Sequence, residues 1–432
     1  MISYNPWNNI PKFKNSKLIE YSINEKIFSD VESYLPRGLG RSYGDVCLNE
    51  GGSLILTNKI NSIIDFDTIN GTITCESGIS INNLLKYISS SGWFLPVVPG
   101  TSYVTIGGAI ANDIHGKNHH NVGSFGNNLI SFTLLRSNGE ILNCSLNENN
   151  EMFKATIGGL GLTGVILSAK IKLLKITSQF ISAETIRYSS LTTFFEINKE
   201  KEINNEYTVS WIDFTSGNLN EIKGVFHSGN HTKQENLSEL KFKKEISLSI
   251  PLQPPISLIN NFTINILNST YYLLNKNSSN KFQHYSKFFF PLDFIKNWNR
   301  AYGKNGFFQY QFVVPTESAE NVIKKTIKEF KNFNQKPVLG VLKTFGNIEP
   351  LGILSFPRKG TTLAIDLQNK GKNTLELLNK LDEVIVDFGG RIYPAKDCRM
   401  SKFVFQKGYK EFQLFEKFID PKFSSSFFNR IK

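Results

Sequence analysis

Three glycines within seven residues constrain this chain more than any other feature. They lie in the run Leu35-Pro36-Arg37-Gly38-Leu39-Gly40-Arg41-Ser42-Tyr43-Gly44-Asp45, which also carries two arginines. Glycine opens left-handed turns and lets the backbone approach a ligand with no Cβ in the way, so successive N–H groups converge on anionic oxygens. Arg37 and Arg41 are placed to offset two phosphate charges while the amides supply directed donors. A second segment, from Pro99-Gly100-Thr101 through Thr105-Ile106-Gly107-Gly108-Ala109 to His115-Gly116, has similar chemistry. Thr105 is positioned to cap a helix, and Gly107, Gly108, Ala109 and Ala111 are small enough to let that helix end sit close beneath a phosphate. Neither run is a Walker sequence, because no Gly-Lys-Ser/Thr follows. The spacing Gly38-x-Gly40-x-x-Tyr43-Gly44 also misses the third glycine of the dinucleotide fingerprint by one place. Two such loops in one domain still point to a dinucleotide.

A chain of 432 residues with 40% hydrophobic content has room for two or three domains with cores of their own. The formal charge of +12 comes with no basic cluster or stacking platform of known type, so no nucleic-acid partner is expected. Attraction to phosphorylated or anionic-lipid substrates fits the charge better. Cys47, Cys75, Cys144 and Cys398 have neither paired nor CxxC spacing, which argues against a zinc ribbon and a disulfide framework. His115 and His119 have the i, i+4 spacing of metal ligands. Gly116 interrupts any helix between them and no acidic or cysteine partner stands at zinc spacing, so no metal is expected. The opening residues Met1 to Trp7 lack the pattern of a secretory signal, and no apolar run is long enough to span a bilayer. These features lead us to expect a cytoplasmic or peripheral membrane position.

Along the chain, the apolar runs 53–57 and 72–75 and the turn pair Asn70-Gly71 predict a β-meander with a hairpin. Residues 81–88 have helical spacing and stop near Gly92. Strands are expected over 131–135 and 165–173, with a hairpin at Asn138-Gly139. The sum is an α+β chain without βαβ repetition. After about residue 178 come strands such as 207–212 and a long irregular region over 247–281. That region holds Pro251-Leu252-Gln253-Pro254-Pro255-Ile256 and an apolar stretch over 266–274. Two readings stay open for it: a core helix behind a proline-rich lead-in, or a mobile lid or membrane-contacting flap over the active site. Amphipathic helices over 318–330 and 374–388 and strands over 308–314 and 362–367 complete the pattern.

The paired loops resemble the vanillyl-alcohol-oxidase type, or PCMH-type, FAD-binding domain. The phrases Gly38-Leu39-Gly40-Arg41-Ser42-Tyr43-Gly44-Asp45, Asp113-Ile114-His115-Gly116-Lys117-Asn118-His119-His120, Gly123-Ser124-Phe125-Gly126, Trp298-Asn299-Arg300-Ala301-Tyr302-Gly303, Gln309-Tyr310-Gln311-Phe312 and Ala395-Lys396-Asp397 are similar to the decaprenylphosphoryl-β-D-ribose 2-oxidase family. They spread over nearly the whole chain. The resemblance implies a two-domain α+β fold. A PCMH-type FAD-binding domain would comprise residues 1–178 and 389–432, and a mixed-sheet substrate-binding domain residues 179–388. It implies that FAD is held by Arg37, Gly38, Leu39, Gly40, Arg41, Ser42, Tyr43, Gly44, Asp45, Gly100, Thr105, Ile106, Gly107, Gly108, Asn112, Asp113, Ile114, His115, Ile166 and Tyr393. Many relatives attach FAD through a histidine in the first loop. Arg41 stands at that place here, so the FAD is expected to be non-covalent.

On the substrate side the resemblance assigns His115 and Lys396 to catalysis and Gln309, Gln311, Lys343 and Lys396 to substrate binding. A fixed cation at Lys396 would stabilise negative charge on a flavin that has accepted a hydride. Gln309 and Gln311 alternate on a predicted strand, so both amides face one side. The chain departs from the family at Phe289-Phe290-Pro291, which is more apolar than expected, and at Ala364, Thr362 and Thr361, which replace a reactive cysteine, an asparagine and a tryptophan. The pocket is therefore expected to be reshaped. The implied substrate is a polyprenyl-phosphate sugar or another phosphorylated sugar. A separate short-chain reductase would be a partner, and the membrane a peripheral contact. An aldonolactone or alditol oxidase of the same fold and a non-catalytic nucleotide-binding module are the alternatives.

Overall fold

The computed structural model describes residues 4–12, 17–21, 27–28, 33–215, 221–233, 247–338 and 340–432. The hairpin expected at Asn70-Gly71 joins strands Ile63–Asp67 and Thr72–Glu76. Gly71 has φ +68°, and a side chain there would meet the ring of Trp93 at 2.1 Å. Glycine thus serves both the turn and the packing. These strands continue through Val165–Lys172, Leu129–Leu135 and Ile141–Ser145 into a five-stranded antiparallel sheet, whose last hairpin turns at Gly139. Helix Ile81–Ile88 packs beside it. Ser80 caps this helix by accepting from Asn83 N, and Ile81, Leu84, Leu85 and Ile88 point inward at the spacing of one helical face.

The run 53–57 lies outside that meander. Ser53–Leu56 instead forms the centre of a separate parallel sheet between Lys17–Glu20 and Tyr34–Arg37. All four of its residues are apolar or small, and three are buried, as a strand covered on both faces requires. The strand Tyr34–Arg37 ends where the first glycine loop begins.

The second unit is an eight-stranded sheet in which every pairing is antiparallel. Its middle strands are Tyr207–Ile212, Gly340–Phe345, Gly360–Gln368 and Phe307–Val314. Parallel pairing occurs in the small sheet described above and, within residues 179–388, between Leu248–Ser249 and Ile295–Lys296. Alternation divides the eight-stranded sheet into two faces. Phe308, Tyr310 and Phe312 join Val322, Ile323 and Ile327 of helix Thr316–Asn332 and Leu377, Leu381 and Ile385 of helix Lys372–Asp387 in one core. Gln309 and Gln311 point the other way. In register with them stand Asp366 and Ala364, and Val341 pairs with Ala364 in turn.

The region 247–281 is more ordered than its composition implies. Asn260 opens helix Asn261–Leu274 with a reciprocal capping box involving Thr263, and strand Ser278–His284 extends the eight-stranded sheet at its edge. Sequence periodicity missed the helix start because an asparagine, not an apolar residue, begins it. Among the described residues no helix is long and apolar enough to cross a membrane.

The C-terminal return ties both units together. Arg391–Ile392 pairs with Phe307–Val314, so the eight-stranded sheet extends past the boundary expected at residue 388. Farther on, Phe423 bridges Tyr34, and Ser426 N donates to Leu48 O at 2.7 Å. Arg430 reaches Asp45 at 2.8 Å and Asp397 at 3.0 Å, and both carboxylates are almost fully buried. Removing the shared cation would leave two buried negative charges together. We expect Arg430→Met to destabilise the protein by about 3 kcal/mol, read as a lower thermal midpoint, whereas an unchanged midpoint would show the triad to be dispensable.

Candidate active site

Both glycine loops and the polar face of the large sheet open onto one cleft of about 1410 Å³. Where the loops meet, a methyl carbon on Gly38 would stand 2.2 Å from Thr105 Oγ1. Only glycine permits this approach. Gly40 has φ +61°, and the amides of residues 38–42 donate to no other described residue. Such a row of free N–H groups is an anion cradle. Arg41 lines the cleft with its guanidinium 3.9 Å above the Trp7 ring, so the cation is oriented by stacking.

The structure changes the roles expected of several loop residues. Arg37 borders the cleft, yet its guanidinium donates to Cys47 O at 2.6 Å and Asn5 O at 2.9 Å, bracing the loop from behind. Asp45 is turned to Arg430, and a methyl carbon on Gly44 would lie 1.7 Å from Asp397 O, so both face the C-terminal return rather than the cleft. Ile106 is buried in the core cluster of the five-stranded sheet. Asp113 accepts from Gly126 N, Ser124 Oγ and Ser355 Oγ, which makes it a clamp among loops. In the helix Ile106–Ala111, Thr105 caps as expected, but the amides of Ile106, Gly107 and Gly108 donate to Ile79 O, Ser77 O and Thr105 Oγ1. These donors are engaged within the protein, whereas the amides of residues 38–42 have no partner among the described residues. Smallness at Gly107 serves packing against Ser77, 3.1 Å from a methyl carbon built there.

The remaining expected residues do line the cleft: Gly38, Leu39, Gly40, Ser42, Tyr43, Gly100, Thr105, Gly107, Gly108, Asn112, Ile114, His115, Ile166, Tyr393, Gln309, Gln311, Lys343 and Lys396. Four lining residues carry buried polar atoms without a hydrogen-bond partner among the described residues: Ser77 Oγ, Asn112 Oδ1, Gln309 Oε1 and Gln311 Oε1. Buried polar atoms are nearly always satisfied. A polar-edged heterocycle beside the free amides of 38–42 would satisfy them, so the residues present fit FAD. At position 41 no imidazole is available to bond it.

His115 sits at the centre. Gln311 Nε2 lies 3.0 Å from His115 Nε2 and 2.9 Å from Thr362 Oγ1, and the Thr362 hydroxyl donates to Phe312 O. Because that hydroxyl is already committed, Gln311 presents its amino group to both partners. His115 Nε2 is then an acceptor, and the ring proton lies on Nδ1, which faces Lys343 Nζ at 2.9 Å. Lys343 can take that proton only as a neutral amine. Burial, with the charges of Lys396 and Lys117, holds the Lys343 amine well below its ordinary range, and burial is likewise the leading cause that draws His115 well below its own. Phe345, Phe356 and Tyr393 surround the imidazole at ring separations of 4.9, 6.0 and 5.8 Å.

A second station lies across the same face. Burial brings Lys396 down to about 8, opposed by the charge of Asp366. Burial pushes Asp366 up to about 6, opposed by Gln309, whose amide donates to it at 2.5 Å. Sequence reasoning did not single out Asp366, although it follows Thr362 and Ala364 at strand period two. Lys117 was passed over too, inside a phrase already noted. Its ammonium is buried against Phe288, donates to Phe288 O and is brought down by burial to about 7. Trp7 could not be found from local pattern, since it reaches Arg41 only through folding. Phe288, Phe289, Phe290 and Leu292 form an apolar wall along the rest of the cleft.

Residues 31–145 match the FAD binding domain family. The chain is 37% identical to decaprenylphosphoryl-beta-D-ribose oxidase of Mycolicibacterium smegmatis over 385 residues, covering 87% of this chain and 83% of that protein. Shorter similarity reaches L-gulonolactone oxidase of Bos taurus, 34% over 36% of this chain and 34% of that protein. It extends also to D-arabinono-1,4-lactone oxidase of Candida glabrata, 26% over 37% of this chain and 32% of that protein. The chain therefore belongs to the decaprenylphosphoryl-β-D-ribose oxidase family of FAD-dependent oxidoreductases acting on CH–OH groups.

Proposed function

We propose that this enzyme oxidises the 2-hydroxyl of a polyprenylphosphoryl-β-D-ribose to the 2-keto sugar, the first half of an epimerisation to arabinose. The observation that carries this reading is the joining, in one cleft, of the His115–Lys343 pair, the Lys396–Asp366 pair and a long apolar wall. The 37% identity to the mycobacterial oxidase, spread over most of both chains, supports the same substrate class. A short-chain reductase acting on the keto sugar would complete the epimerisation, and a lipid-linked substrate brings the enzyme to a membrane surface.

FAD, when bound, supplies the acceptor for the hydride leaving the sugar carbon. His115 Nε2 takes the hydroxyl proton after Gln311 yields it, and the Nδ1 proton passes to the amine of Lys343. Lys396 keeps a positive charge beside the reacting carbon, held by Asp366, and so favours negative charge arriving on the cofactor side. Lys117 and Lys343 place buried basic nitrogens where a phosphodiester would enter. Phe288 to Leu292 exclude water and offer apolar contact to the first isoprene units. Thr362 acts through Gln311, holding the amide that orients His115.

The deciding experiment is an anaerobic absorbance scan of the flavin-loaded enzyme. Polyprenylphosphoryl ribose should bleach the visible flavin band, whereas bleaching by free lactones or alditols instead would give the site to the lactone-oxidase reading. In that assay His115→Ala should slow bleaching by roughly 100-fold, and a wild-type rate would remove His115 from the proton path. The pH profile supplies an independent check. Lys396 is a cation below about 8 and loses its proton above it, so the bleaching rate should be sustained below that pH and fall as pH rises through it. A rate that keeps climbing past that point would contradict the role of the ammonium.

A further inference from the structure

The helix Asn261–Leu274 has its apolar residues on the wrong side for a core helix. Its buried residues are Ile264 and Asn268, and the Asn268 amide donates to buried Asp213 at 3.1 Å. Phe262 and Leu274 are 72% and 76% exposed, with Ile266 and Leu273 also in solvent. Phe262, Ile266 and Leu273 share one stripe at i, i+4 and i+11. The lead-in continues the patch, because Leu252 and Ile256 are 79% and 75% exposed and Leu248 and Leu258 are open as well. This apron is held in place. Leu258 N donates to Ala301 O at 2.8 Å, Gln253 Nε2 to Gly303 O at 2.8 Å, and the capping box fixes the helix start. Exposed apolar residues gathered in this number over 248–274 mark an interaction site.

The charge around it identifies the partner. Between Ser247 and Leu292 the chain contains no aspartate or glutamate, while Lys276, Lys281 and Lys287 lie within it. Three further cations from separate elements touch the helix. Arg187 donates to Leu273 O at 2.8 Å, Lys336 to Asn265 Oδ1 at 2.9 Å and Lys370 to Asn261 Oδ1 at 3.5 Å. Two copies of such a face would repel one another. An anionic bilayer offers apolar depth for the stripe and negative headgroups for the fringe. The inner side of the same helix supplies Leu267, Tyr271 and Asn275 to the cleft wall. A lipid chain can therefore pass from the bilayer to the site along one element.

We propose that the apron of residues 248–274 is an in-plane docking surface for an anionic lipid bilayer, with Phe262, Leu273 and Leu274 entering the headgroup boundary. Its purpose rests on the lipid-linked substrate reading, but its test does not need turnover. The flavin-loaded full chain is sedimented with phosphatidylcholine vesicles, with and without phosphatidylglycerol. The wild type should partition onto the phosphatidylglycerol vesicles and be released by salt. The combined variant Phe262→Gln, Leu273→Gln, Leu274→Gln should lose about tenfold or more of that partition. It should keep its flavin absorbance and its bleaching by a water-soluble short-chain ribosyl phosphate, because none of the three residues lines the cleft. No binding to either vesicle, or equal binding by variant and wild type, would overturn the proposal. So would a wild-type dimer that the variant dissolves while vesicle binding persists, since the face would then serve a second copy. Vesicle binding without any bleaching by polyprenylphosphoryl ribose would leave the docking surface standing and remove the substrate reading.

Discussion

The close approach of Gly38 to Thr105 is the contact on which the site depends. A methyl group would lie 2.2 Å from the threonine hydroxyl, so the two loops share a boundary only because one of them has no side chain there. That approach leaves the amides of residues 38–42 facing the cleft while Thr105 caps its own helix. The division of labour follows from hydrogen-bond satisfaction. The helix amides at 106–108 are already paired within the protein and contribute rigidity; those of residues 38–42 have no partner among the described residues and are the donors left for an anion.

Alternation in the eight-stranded sheet does the corresponding work on the substrate side. One face buries Phe308, Tyr310 and Phe312 under two helices, and the opposite face carries Gln309, Gln311, Ala364 and Asp366 into the cleft. Core packing on one side thus holds polar groups immobile on the other, which an oxidase needs if a proton is to leave the hydroxyl oxygen as a hydride leaves the carbon that bears it. The C-terminal return completes the arrangement. It adds Arg391–Ile392 to the sheet, brings Lys396 into the cleft, and locks onto the first loop through Arg430, Asp45 and Asp397.

Low polarity is what gives the cleft its chemistry. Lys117, Lys343 and Lys396 are all drawn below the ordinary lysine range, with burial as the leading cause in each. Asp366 opposes the shift at Lys396, so that lysine is the one that keeps its cation to about pH 8. Lys343, with no carboxylate among the groups acting on it, is held well below that range. The chain also keeps aliphatic side chains outside on helix Asn261–Leu274 while burying an asparagine, an inversion whose sense appears only when the cleft beneath it is considered.

Local sequence was sufficient for whatever depends on a few consecutive residues. The glycine loops, the Thr105 cap, the turns at Gly71 and Gly139, the helices near 316–332 and 372–387, and the absence of histidine at position 41 were legible because turn geometry, capping and periodicity are short-range. The FAD-binding class followed from the loops and the family phrases. The tertiary structure decided which loop residues face the ligand. Asp45 and Asp113 lie within the family phrases and Ile106 within the second glycine segment, yet all three point elsewhere, drawn to Arg430, to Ser124 and Ser355, and to the core. It also paired Gln309 with Asp366 and His115 with Lys343, buried the lysines and so drew their pKa values down, and exposed the outer helix. Each of these depends on strand register or burial between segments far apart in the chain, and a one-dimensional pattern carries neither quantity.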